Sequence, residues 1–266
     1  MADHKKVLEG GYEKQLTARY QTTQPSLYPI LLLADHGIAD TEYSLKHKTY
    51  TFSQTITASE GQLHDLASFK ARCIDVAVDR YWPALDNVEN QKIARGSKNF
   101  LSENALEPQR LIQALELGGE IANGPLDDHI IYLCDAGAGN DITSETLINQ
   151  LCGVNAAFST LPEVSYIAFK SALSKIEVDQ SHPFNYLEKF GGYETAVALG
   201  IITHALKRNL SIIIEGWSCI AAWALALELK LPGVEGVLFS AIPKSHIIEG
   251  LFSMENTQPI HRQAMT

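Results

Sequence analysis

The chain has 266 residues, 45% of them hydrophobic, enough to bury a sizeable core as one large domain or as one domain plus a small appendage. Its formal charge of −10 excludes the net basic face that a nucleic-acid partner requires, the basic clusters being short pieces such as Lys46 to Lys48. No uncharged stretch reaches the ~20 residues of a membrane span, the opening "MADHKKVLEGGYEKQ" has no apolar signal core, and Cys73, Cys134, Cys152 and Cys219 lack CxxC spacing, which predicts a cytoplasmic protein with reduced, buried thiols and no metal site.

In chain order, residues 1–27 read as an N-terminal helical or linker segment, with "RYQTTQPSLYP" (Arg19 to Pro29) as the linker. Five apolar runs then read as strands: Tyr28 to Ala34, Cys73 to Val78, His129 to Cys134, Leu210 to Gly216 and Val234 to Ala241. Each is nearly continuous in apolar character and does not alternate, as expected of parallel strands covered on both faces. Helical spacing fills Pro108 to Gly124, Gly191 to Asn209 and Ser218 to Lys230, the last too uniformly apolar for a solvated face. His204 reads as a satisfied core or surface histidine, and residues 246–266 as a tail. The alternation is βαβ, so the predicted architecture is a doubly wound, Rossmann-like α/β domain over 1–266 with a mainly parallel sheet.

In such sheets ligands sit beyond the carboxyl ends of the strands. The loops there are "ADHG" (Ala34 to Gly37), "CDAGAGND" (Cys134 to Asp141), "EGWS" (Glu215 to Ser218) and "SAIPKS" (Ser240 to Ser245). Gly137 and Gly139 let backbone N–H groups converge on an anion, with Asp141 or Thr143 opening the next helix. The turn is neither a dinucleotide fingerprint, whose third glycine would fall at Ile142, nor a P-loop, since no GK[ST] follows. A tight strand-to-helix turn is the competing reading. Asp35 as a helix cap and Glu194 as a macrodipole partner are likewise structural alternatives to binding roles, whereas Glu215 lies where doubly wound folds place catalytic groups.

"LLLADHGIAD", "CIDVAV", "KIARGSKNF", "LCDAGAGND", "LEKFGGYETAVALG" and "IIIEGWSCIAAWALAL" occur in that order. Together they resemble the nicotinate-nucleotide:dimethylbenzimidazole phosphoribosyltransferases, whose sequences carry A-D-H-G, V-D-V-G-V, a G-T-rich loop, G-E-M-G-I-G-N-T-T, G-G-x-E-I-A and a strand ending in D-G-F. The resemblance runs from about Pro29 to about Ser245. It implies a small helical portion built from the chain ends, a homodimer, no metal or other cofactor, and two small-molecule substrates, nicotinate mononucleotide and an aromatic base. The implied reaction needs a phosphate clamp, alignment of base and C1′, and a carboxylate to take the base's proton.

The resemblance implies that the general base lies in a late G-E-G-T-G-A segment, which has no counterpart before Thr266. The catalytic role that remains is assigned to Asp135, at the position of the turn's Glu, and Gly137, Gly139, Asn140 and Gly216 are the residues implied to hold the phosphate and ribose. Asp35, His36, Gly191, Gly192, Glu194 and Glu215 complete the substrate site, and Ser44 and Gln54, with Thr51 between them, line the base pocket. The chain departs from the pattern in having Asp135 for the turn's Glu, Ser165 for a lysine with Lys170 nearby, and no late G-E-G-T-G-A segment, leaving Glu249 and Glu255 as substitute carboxylates. A non-catalytic relative that binds a nucleotide or base is the alternative reading; a generic Rossmann dehydrogenase ranks third.

Overall fold

The computed structural model describes residues 26–43, 71–80, 88–125, 129–161, 163–240 and 242–255. Six strands form one sheet in the order β3-β2-β1-β4-β5-β6, and every neighbouring pair is parallel. They are β1 (Ser26–Ala34), β2 (Arg72–Ala77), β3 (Val88–Asn90), β4 (His129–Ala136), β5 (Ser211–Glu215) and β6 (Leu238–Phe239). Seven α-helices accompany them among the described residues: α1 (Pro108–Ile121), α2 (Asn140–Cys152), α3 (Tyr166–Leu173), α4 (Pro183–Phe190), α5 (Tyr193–Lys207), α6 (Trp217–Glu228) and α7 (His246–Met254). The predicted α/β class and parallel sheet are therefore present, and the chain-end helical portion lies largely outside the described residues.

The boundaries differ from the sequence reading at both ends of the sheet. Ser26 and Leu27, expected in the N-terminal linker segment, pair with His129 and Ile130 as the first residues of β1. The expected strand Val234 to Ala241 contracts to two residues because Val234–Gly236 turn as a 3-10 helix behind Gly233, whose φ is +84°. The strand β3 escaped notice, since "VEN" has no apolar run to mark it.

Alternate strand residues, among them Ile30, Leu32, Ala34, Ile131, Leu133, Ile212 and Ile214, join one core with the helices. The apolar face of α6 is accounted for inside the chain. It packs on β4, β5, α2 and α5, and its Trp223 meets Phe239 edge-on at 4.8 Å and stacks on Phe252 of α7 at 5.4 Å. A second, smaller cluster on the opposite strand positions joins Leu31, Leu33 and Val78 to Cys73, Val88, Cys134 and Ala136. No described helix is long and apolar enough to cross a membrane. All four cysteines are free, and only Cys219 is fully buried, the other three being half-buried. Burial pushes each thiol up, Cys152 to about 12, so they stay protonated near neutral pH.

The sheet order reverses direction between β1 and β4, which makes their carboxyl ends the topological switch point. The loops after β1 and β4, with the N-termini of α2, α5 and α6, meet there.

Candidate active site

The first loop is tied down by its own acid. Asp35 Oδ1 accepts from the Ala138 N–H at 3.1 Å and Oδ2 from the Asp79 N–H at 2.9 Å, so one carboxylate joins the ends of β1, β2 and β4. His36 N–H donates to the Ala138 carbonyl at 3.0 Å, and Ser97 N–H to the Asp35 carbonyl at 3.0 Å. Asp35 thus clamps loops and does not cap the short 3-10 turn Gly37–Asp40, which has no side-chain cap.

The second loop carries the glycine turn. At Gly137 a Cβ would overlap the Ala34 carbonyl, so the end of β4 lies directly against the end of β1. Gly139 has φ +79° and is the N-cap of α2, which starts at Asn140 and not at Asp141 or Thr143. This left-handed conformation is strained for a residue with a side chain, and it opens the positive end of α2 onto the switch point. Inside the first turns of α2, Asn140 Oδ1, Thr143 Oγ1 and Ser144 Oγ are buried without a hydrogen-bond partner among the described residues, an uncommon arrangement in folded proteins.

Asp135, the last acid of β4, reaches across to α6. Its Oδ1 accepts from the Cys219 N–H at 3.0 Å and its Oδ2 from Asn140 Nδ2 at 2.9 Å. Gly216, with φ +102°, makes this approach available, because a Cβ there would overlap the carboxylate. The turn at Gly216 therefore receives the carboxylate of Asp135 at the first turn of α6. Burial pushes the Asp135 carboxyl above its ordinary value, against the pull of the Cys219 N–H, and the charge of Glu194 pushes the same way as burial.

Glu194, at the start of α5, forms a buried ion pair with His36: Nε2 lies 2.9 Å from Oε1, and both side chains are 1% exposed. The contact is one of charge more than of hydrogen-bond alignment, since neither His36 Nε2 nor Glu194 Oε2 has an aligned partner among the described residues. Ser218 Oγ donates to Glu194 Oε1 at 2.6 Å, and Ser97 Oγ lies 3.4 Å from His36 Nδ1. Gly192 lies flush against the pair, a Cβ there overlapping both the imidazole and the carboxylate. Desolvation lowers the affinity of His36 for its proton, but the charge of Glu194, with those of Asp35 and Asp141, raises it above the ordinary value. Desolvation raises Glu194, and His36 and the Ser218 hydroxyl outweigh it, holding that carboxyl below its ordinary range.

The switch point thus brings together Asp35, His36, Asp135, Gly137, Gly139, Asn140, Gly192, Glu194 and Gly216, with Gly191 ending α4 beside them. Glu215 stands apart. Its register partner is Cys134, so its side chain lies on the other face of the sheet from Asp135. There it meets the Tyr132 hydroxyl, which lies 3.0 Å from Ser240 Oγ, and burial pushes its carboxyl up. Glu249 is 70% exposed on α7 beside His246 and does not join the site. Ser165 Oγ donates to the Glu42 carbonyl, and Lys170 is exposed with its ammonium over Tyr166, so neither supplies the expected charge. His204 bonds Asn123 at the surface. Ser44, Thr51 and Gln54 lie outside the described residues.

Sequence reasoning missed several buried polar groups. Ser218 and Ser97 gain their roles only from partners far along the chain. Glu145 of α2 is fully buried and accepts from Ser159 N–H, Thr160 N–H, Thr160 Oγ at 2.6 Å and Ser245 Oγ at 2.5 Å. An acid in the run Thr143 to Thr146 was the available signal. Asp75, inside an apolar strand, pairs with Lys92 at 2.7 Å.

A family model described as phosphoribosyltransferase matches residues 13–246. The nicotinate-nucleotide–dimethylbenzimidazole phosphoribosyltransferase of Janthinobacterium sp. (strain Marseille) is 22% identical over 263 residues, covering 92% of this chain and 75% of that protein. The protein of the same name from Geobacter sp. (strain M21) is 26% identical over 224 residues, covering 78% of this chain and 64% of its own length. The chain thus spans about two thirds to three quarters of these two relatives. The crystal structure of CobT from Thermus thermophilus superposes with a TM-score of 0.77 at 18% identity, covering 99% of this chain and 88% of that one.

Proposed function

This chain belongs to the nicotinate-nucleotide–dimethylbenzimidazole phosphoribosyltransferase family, and from that premise we propose that it transfers phosphoribose from nicotinate mononucleotide to a benzimidazole-type base, the step that builds the lower-ligand nucleotide of cobalamin. The observation that carries this reading is the pairing of Asp135 with the open N-terminus of α2 at the switch point, a carboxylate beside a helix end suited to a phosphate.

The nucleotide's phosphate is proposed to bind against Gly137, Gly139 and Asn140, where the α2 dipole and the unpaired Thr143 and Ser144 hydroxyls meet an anion. The C1′–N bond to the pyridinium breaks as the unprotonated ring nitrogen of the base bonds to C1′. The bond pair returns to the pyridine ring, which leaves as nicotinate. The N–H proton on the other azole nitrogen passes to Asp135. A carboxylate raised by burial is a better acceptor for that proton than an exposed one, provided it is ionised when the base arrives. Asp35, His36, Gly191, Gly192 and Glu194 shape the nucleotide side of the crevice, and Gly216 admits Asp135. Glu215, on the opposite face, is proposed to act on substrate only if a ligand reaches that face. Ser44 and Gln54 are proposed for the base pocket. A cytoplasmic homodimer is part of this reading.

The test is direct. The pure protein is incubated with nicotinate mononucleotide and a panel of benzimidazoles and purines, and released nicotinate and the new riboside phosphate are followed by mass spectrometry. Product from benzimidazoles is expected. Nucleotide binding without any product across the panel would leave a binding protein in place of an enzyme.

A further inference from the structure

The reaction proposed above uses Asp135 directly and leaves His36, Glu194 and Ser218 without a chemical task, although these are among the most deeply buried polar side chains of the molecule. We propose that the His36–Glu194 ion pair, coupled through Ser218 to Asp135, is a positioning unit that governs the charge state in which Asp135 meets the incoming base. The proposal rests on the reading of Asp135 as the proton acceptor.

Ser218 is the physical link. Its hydroxyl donates to Glu194 Oε1 at 2.6 Å, and its backbone N–H, with that of Cys219, faces the Asp135 carboxylate. One residue in the first turn of α6 therefore touches both acids. Two carboxylates held by one residue repel each other, so both do not carry a charge cheaply. His36 supplies the compensating cation from the β1 loop, 2.9 Å from Glu194. Asp35 and Asp141 also face the imidazole, and Ser97 lies against its Nδ1, so among the described residues the ring stands among three acids and one hydroxyl. Around Asp135 stand Asn140, the Ser218 and Cys219 N–H groups, the Cys219 thiol, Glu194 and, from the other sheet face, Glu215 and the Cys134 thiol.

The two partners of the ion pair act on Asp135 in opposite senses. Removing the negative charge in Glu194→Gln makes Asp135 easier to ionise. Removing the cation in His36→Asn leaves the two acids uncompensated, so that proton uptake by the pair starts at higher pH. Loss of packing alone has no reason to move the two variants apart.

The experiment labels the side-chain carboxyl carbons of Asp and Glu with ¹³C, assigns Asp135 with Asp135→Asn, and follows titration by NMR in wild type, Glu194→Gln and His36→Asn, with melting curves as the check on folding. The Asp135 midpoint is expected to fall in Glu194→Gln, and carboxylate protonation to begin at higher pH in His36→Asn, each by about one pH unit. A folded Glu194→Gln whose Asp135 titrates as in wild type, or two variants moving in the same direction, would overturn the proposal. Ser218→Ala and Ser218→Thr give a second line: kcat for dimethylbenzimidazole falls ~10- to 100-fold in Ala with the nucleotide KM kept, and recovers in Thr. Equal kcat in wild type and Ser218→Ala would also count against the coupling. If the titrations move as expected and no base is ever turned over, the transfer reading fails and the positioning unit stands.

Discussion

At the residue scale, the site depends on a few atoms whose placement leaves little latitude. Gly139→Val introduces a β-branched side chain at φ +79°, close to Ala39 and Ile38. The variant is expected to lose nicotinate mononucleotide binding in calorimetry, and unchanged affinity in a folded variant would move the phosphate site away from this turn. Asp135→Asn keeps the shape and removes the proposed proton acceptor, so the transfer rate should fall by ~10²–10⁴ and lose its acid limb in a pH–rate profile. Asp135→Glu should retain that limb. The His36–Glu194 pair makes a stability prediction whose sign follows from both partners. His36 is raised above 6.5, so its contribution is full below that pH and is lost as pH rises through the folded value; Glu194 is held below 4.5, so its contribution is full above that pH and is lost on acidification. Asp135, raised above 3.8, works against stability as pH rises through its folded value. The gap in Tm between wild type and His36→Asn should be widest between pH 4.5 and 6.5 and narrow above it. Breaking such a buried pair costs ~3–5 kcal/mol.

At the element scale, one side chain at the start of α7 has two tasks. Ser245 accepts from the Ile248 N–H as the N-cap and donates to Glu145 at 2.5 Å. Ser245→Ala removes a cap worth ~0.5–2 kcal/mol and a donor to a buried carboxylate worth ~1.5–3 kcal/mol. Urea denaturation should show a loss of about 2–5 kcal/mol, whereas a loss within experimental error would mean that α7 is held by Phe252 and its neighbours alone. This link was not legible in the sequence, because the donors to Glu145 come from 159–160 and 245, distant in the chain. Continuous apolar runs made the central strands readable, and the glycine turn marked its own location. What could not be read was sidedness: Glu215 and Asp135 both end strands, and only the pairing of Cys134 with Glu215 sends them to opposite faces. The short strands β3 and β6 were hidden or overextended because two or three residues carry no periodicity.

At the scale of the whole molecule, three helix N-termini and the loops after two central strands meet at the switch point, so occupancy there should be felt globally. Nicotinate mononucleotide at a hundredfold excess over Kd should stabilise the fold by about 2.7 kcal/mol, seen as a rise in Tm. No shift and no heat at millimolar nucleotide would remove the nucleotide reading. The homodimer is tested by light scattering at micromolar concentration, where a mass near 29.3 kDa would show a monomer. The family resemblance was legible over most of the chain because motif order survives where overall identity has fallen to 22–26%.

The hydrogen bond from the Cys219 N–H to Asp135 has a practical consequence. An amide proton shift follows the strength of the bond it donates, so this single backbone group is a built-in reporter of what its acceptor is doing. When Asp135 takes up a proton or turns toward a bound base, the Cys219 resonance should move upfield and its solvent exchange should quicken, while amides along the middle of α6 hold still. One peak in a ¹⁵N spectrum would then record each stage of occupancy, from empty crevice to bound nucleotide to bound base, without any label on the ligands.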